Sequence, residues 1–183
     1  MRQVLDVNIL TDTATQKRVG WISLVPLVPG MAVLGWGVAS VIDAGHPVLG
    51  EWWLWLLALA VAYVVSLPLH ELVHALFFKL FGPAGTKVTF GYQSGMLYAG
   101  CPGTKYTSGQ MTVVLLAPFV ALSIAYWALG QALDLGVLAL CLFLLHGSGC
   151  AGDLYFTWLL CRHPEADLVE DTANGIRLWN SKG

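Results

Sequence analysis

Charge is the scarcest property of this sequence: 11 acidic and 9 basic side chains in 183 residues make 11%, about half of what a soluble domain of that size carries. The formal net charge of -2 leaves neither a basic patch for nucleic acid nor an acidic tail, so no DNA or RNA partner is expected. Cysteine is sparse too. Cys101, Cys141, Cys150 and Cys161 form no CxxC pair and fall in apolar segments or on the side assigned below to the cytoplasm, so disulfides are not expected. Cys150, three residues before Asp153, has two readings: a thiol facing the same site as that residue or, the favoured one, a small free thiol in a packed helix. No repeat or low-complexity tract is present. The first twenty residues are polar and mixed, with Asp6, Asp12, Lys17 and Arg18, so no cleavable signal peptide is expected.

What fills the chain instead is apolar: 57% of residues are hydrophobic and the mean hydropathy is +0.69. Four runs reach the length of about 20 residues that a helix needs to cross a bilayer: 21–42, 52–78, 111–129 and 136–161. They predict an all-α integral membrane protein, one domain over 1–183. Residues 1–20 and 162–183 form its tails, and 82–109 the single non-helical insert. In that insert, Thr86 to Tyr92 and Met96 to Ala99 flank Gln93-Ser94-Gly95, which predicts a small β-hairpin between helices two and three. Two readings of the hairpin stand: a loop folded over the helix ends, or an edge strand that receives an extended peptide by β-augmentation.

All nine basic residues lie in the two tails and the middle loop, and none in the links 43–51 or 130–135. By the positive-inside rule both termini are cytoplasmic and the protein is multi-pass in the cell membrane. Trp52, Trp53 and Trp55 then form an aromatic belt on the outer face. Pro26 and Pro29 predict a kink in the first span. Pro68 predicts either a kink in the second or an opening above the residues described next.

The second span ends in His70-Glu71-Leu72-Val73-His74. On a helix, residues four apart differ by about 40° in direction and about 6 Å in height, so both imidazoles point at one spot. That is a geometry for two ligands on one metal ion, with Glu71 about 60° from His74 and free to act on a water at the ion. A catalytic zinc takes a third protein ligand. The candidates inside the spans are His146, Asp153 and the cysteines. His74 lies about 33 Å from Trp52 and Asp153 about 26 Å from Gly136 on spans running the same way, so Asp153 is at a compatible depth. On a straight helix His146 sits about 10 Å deeper, too far for the same ion. It reads as a hydrogen-bonded core or substrate-cavity histidine. Gly147 with Ala151 and Ser148 with Gly152 would let span four approach span two. His46 and His163 flank prolines and read as surface residues.

His70 to Phe78, Lys87-Val88-Thr89-Phe90-Gly91, Leu116-Ala117-Pro118-Phe119, and Gly147-Ser148 with Gly152-Asp153 together resemble the small multi-pass prokaryotic family described as zincin peptidases of unknown function. The resemblance runs over most of the chain, including the tail to Trp179, and suggests a relationship to site-2 proteases. It implies zinc (Zn2+) held by His70, His74 and Asp153, Glu71 as the catalytic base, and a membrane-associated polypeptide as substrate. One departure is that glycine precedes Asp153 and Leu154 follows it, where site-2 proteases usually carry Asp-Gly. A membrane hydrolase of lipids or small amides, a haem binder using the paired histidines, and a regulatory pseudo-protease are the other readings of the same residues.

The one-sided charge distribution fixes an expected orientation in the membrane. Probes introduced after Gly45 and after Lys182 should report opposite faces of the membrane, with the second facing the cytoplasm. Equal accessibility from outside would reverse the orientation.

Overall fold

The computed structural model describes residues 1–44, 51–93, 95–172 and 174–182. His46 and most of the link around it, and Ser94 of the hairpin turn, lie outside the described residues. The order is β1 (Arg2–Asn8), α1 (Thr13–Ala44), α2 (Trp52–Phe81), β2 (Thr89–Gln93), β3 (Met96–Gly100), β4 (Lys105–Thr107), α3 (Ser108–Ala132), α4 (Gly136–Gly149), α5 (Ala151–Arg162), β5 (Leu168–Thr172) and β6 (Gly175–Asn180).

Among the described residues, three helices are long and apolar enough to cross a membrane: α1, α2 and α3. A fourth span results if α4 and α5, bent by 57° at their junction, count as one. The outward faces suit lipid, since Val61, Val64, Leu72, Leu76, Ile124 and Trp127 are all more than half exposed. The first helix begins at Thr13, eight residues before the apolar run. Asp12 caps it, its carboxylate accepting from the Ala14 N–H and the Thr15 hydroxyl. Pro26 and Pro29 sit inside α1 without ending it. Small residues do bring helices together, but not as the spacing predicts. Gly147 packs on Phe119 and Pro26, while Gly30 and Gly37 of α1 admit Leu144 and Val137 of α4, so the closest seam of α4 is with α1. Trp55 also departs from the expected belt: it is 2% exposed and packs against Gly37, while Trp52 and Trp53 stay about half exposed.

The all-α expectation holds for most of the chain but not for its tails: a four-stranded antiparallel sheet, in the order β1-β6-β5-β4, joins both of them to the strand leading into α3. Its strands alternate. Val169 with Asp171, and Ile176 with Leu178, face inward, while Glu170 and Arg177 face out. Because the tails lie at opposite ends of the chain, neither presents a long apolar run; the signal is period two and the Asn174-Gly175 punctuation between β5 and β6. The hairpin β2-β3 is a separate two-stranded sheet, in the predicted place. Gly95 supplies the positive φ of 85° that its turn requires.

The inward face of the larger sheet meets the ends of α2, α3 and α5 in a core of Phe78, Tyr106, Met111, Val114, Leu160, Val169 and Leu178. The Tyr106 hydroxyl donates to the Phe78 carbonyl and so ties β4 to the end of α2. Among the described residues, Asp171 is the one buried carboxylate against this core. Its Oδ2 accepts the Cys101 N–H at 2.5 Å, an approach open because Gly100 has no Cβ, which would stand 2.9 Å from that oxygen. Burial raises Asp171 from 3.8 to about 7, against the opposing pull of the Cys101 amide and His74. Between those pH values the folded protein holds a proton that the unfolded chain has released. Stability from this group should therefore fall as pH rises from about 4 to about 7, by roughly 4 kcal/mol at most. Thermal unfolding in detergent should show that fall in the wild type and lose it in Asp171→Asn, which keeps an acceptor oxygen. A difference between the two proteins that is constant over the range would rule it out.

Candidate metal centre

His70 and His74 stand one turn apart on α2, and Asp153 stands in the first turn of α5. Their donor atoms converge. His70 Nε2 is 3.0 Å from His74 Nε2 and 3.2 Å from Asp153 Oδ2, and His74 Nε2 is 3.5 Å from Asp153 Oδ1. A tetrahedral zinc with bonds of about 2.0–2.1 Å spaces its ligand atoms about 3.3 Å apart, so two imidazoles and a carboxylate at these separations fit that ion. The side chains are 13%, 8% and 18% exposed, in that order, so the site is enclosed by protein.

Each element places its donor for an identifiable reason. Asp153 stands in the first turn of α5, where the helix dipole favours an anion. His74 is oriented by α3: its Nδ1 lies 2.9 Å from the Val114 carbonyl oxygen. A carbonyl can only accept, so Nδ1 carries the proton and Nε2 is left with its lone pair toward Asp153 and His70. Inside a helix that carbonyl would serve the N–H four residues on. Here residue 118 is proline, which has none. Pro118 thus frees the acceptor that sets His74.

Glu71 is half-buried and belongs to neither group of donors that could hold a metal. Its charged neighbours are His74, His70 and Asp153, and the backbone N–H of Ala99 in β3 approaches its carboxylate. The hairpin therefore lies beside the site, and β3 packs on α2.

His146 is a buried, hydrogen-bonded histidine outside the group that holds Asp153, as expected, but it stands nearer that group than a straight helix allows. The helix expected over 136–161 breaks at Cys150, and the 57° bend carries His146 sideways onto the site. Its Nε2 stands 3.1 Å from His70 Nδ1. Cys150 Sγ is 3.8 Å from the same nitrogen and 3.6 Å from His146 Nε2. A second possible donor group, His70, His146 and Cys150, thus adjoins the first and shares His70 with it. The signal available in the sequence was Gly147, Gly149 and Gly152 around Cys150, a run that weakens a helix. His163 lies apart from the centre and pairs with Glu165 at 3.0 Å.

A family model described as "Putative zincin peptidase" matches residues 63–168 of the chain. That stretch holds Glu71 and every residue of both donor groups. No curated protein and no solved structure matches the chain.

Zinc competition against a chelator tests the donor set. His70→Ala and His74→Ala should each abolish stoichiometric binding, and Asp153→Ala should weaken it strongly. Undiminished zinc in Asp153→Ala would remove that residue from the site.

Proposed function

The chain belongs to the family described as "Putative zincin peptidase", and from that premise we propose that it is a zinc-dependent membrane endopeptidase. It hydrolyses a peptide bond in a membrane-associated polypeptide near the cytoplasmic interface. The observation that carries the reading is the convergence of His70, His74 and Asp153 with Glu71 beside them and outside the donor set.

Zinc, when bound by these three residues, supplies Lewis acidity that draws the pKa of a nearby water toward about 7 and polarises a carbonyl. The rest of the chemistry belongs to the chain. Glu71, within reach of the same point, takes the water proton and returns it to the leaving amine. The Asp153 carboxylate offsets one unit of the ion's charge and leaves the site net positive, which favours an oxyanion. The site lies about 10 Å below the end of α2, at Phe81, so water and substrate meet it close to the interface.

The hairpin supports a peptide as substrate. The backbone N–H of Ala99 lies beside Glu71, and among the described residues β3 pairs with β2 alone, so its other edge is unpaired next to the site. Such an edge can take an extended chain as a further strand. Phe90, Tyr92, Met96 and Leu97 on the hairpin are all more than two-fifths exposed, which suits an apolar segment leaving the bilayer. With the Lys and Arg residues all on one side, both termini and this hairpin face the cytoplasm. The arrangement is of the site-2 protease kind, with the donors borne on membrane helices.

Glu71→Gln separates binding from catalysis. The variant should keep its zinc while cleavage of membrane peptides by the reconstituted protein falls by roughly 10²- to 10⁴-fold. Cleavage at the wild-type rate would remove Glu71 from the reaction, and loss of zinc would make it a ligand.

A further inference from the structure

His146 is 2% exposed, and no step above uses it. A histidine that offers a lone pair at Nε2 carries its proton on Nδ1, and in an apolar interior that N–H needs an acceptor. For His74 the acceptor is the Val114 carbonyl. For His70 the group in line is a second imidazole, with His146 Nε2 at 3.1 Å from His70 Nδ1. Two neighbours pack on the ring: Tyr126 meets it edge to face at 5.7 Å, and Cys150 Sγ lies 3.7 Å from its Nδ1 and 3.6 Å from its Nε2.

We propose that His146 is a positioning residue for the metal centre: its Nε2 accepts the proton on His70 Nδ1, which fixes His70 with Nε2 turned to the ion. The proposal rests on the zinc reading above and adds a function for a residue outside its donor set. A neutral imidazole presents one lone pair, so His70 cannot serve both donor groups at once. Of the two, the group with Asp153 holds the carboxylate that offsets an ion's charge and has Glu71 beside it. His146 and Cys150 then act through His70. The bend at Cys150 acquires a purpose on this account, because an unbroken helix would leave His146 about 10 Å from Asp153 in depth.

The test is zinc affinity in purified protein, measured by chelator competition, for the wild type, His146→Phe and His146→Gln. Removing the acceptor in His146→Phe should weaken zinc by roughly 10- to 100-fold. His146→Gln, whose side-chain oxygen can accept at the same place, should stay within a few-fold of the wild type. Cobalt substitution supplies a readout that needs no variant. The wild-type spectrum should be that of nitrogen and oxygen ligands. Unchanged affinity in His146→Phe, or equal losses in both variants, would overturn the positioning role. A thiolate-to-cobalt charge-transfer band would overturn it differently, by placing the ion on Cys150 and His146. A wild type that binds no zinc would defeat the peptidase reading and this proposal together, which sets that outcome apart from the others.

Discussion

An imidazole can present one nitrogen to a metal only if the other is satisfied, and inside an apolar bundle water is not there to do it. Much of the arrangement around α2 follows from that constraint. His74 obtains its partner from the backbone of α3, and His70 obtains its own from the end of α4. The carboxylate that completes the donor set comes from the start of α5. Three elements besides α2 are therefore committed to the geometry of two side chains on one helical turn. The bend between α4 and α5 is the means by which one stretch of chain reaches the pair twice, with His146 at His70 Nδ1 and with Asp153 at the two Nε2 atoms.

The sheet solves a different problem. Helices that end at an interface leave their last carbonyls without partners and their ends free to splay. Here both tails return to the same end of the bundle and close over it, with Tyr106 on the end of α2 and Val169 and Leu178 filling the space beneath. Arg177 lies between Asp6 at 2.8 Å and Glu170 at 3.5 Å, directly across the register of β1, β6 and β5. Such exposed pairs add little stability, at most about 1 kcal/mol each, but they match the three strands to one alignment.

The His70 and His74 pair was legible because helical periodicity alone aligns residues four apart, whatever surrounds them. Asp153 was legible because depth along a span is a matter of counting. His146 failed the same count: depth is additive only along a straight axis, and the axis turns at Cys150. The hairpin at β2-β3 could be read from local turn chemistry. The larger sheet could not, since β1 and β6 pair residues as far apart as Asp6 and Arg177, and a pairing across nearly the whole chain leaves no local pattern. Trp55 was misplaced for a related reason. Its neighbours Trp52 and Trp53 do remain half exposed, but a gap at Gly37 of another helix draws it into the core.

Pro118 carries a consequence for how such a centre can arise. Placing an acceptor beside a buried histidine by adding an Asn, Ser or Asp to a membrane span exposes that group to lipid in every conformation where the contact is not made. Proline brings no polar atom of its own. It withdraws a donor, and an existing carbonyl of the α3 backbone is left available to the neighbouring helix. A span can thus acquire a ligand-orienting partner by a single codon change while its hydropathy, and with it its insertion into the bilayer, is hardly altered.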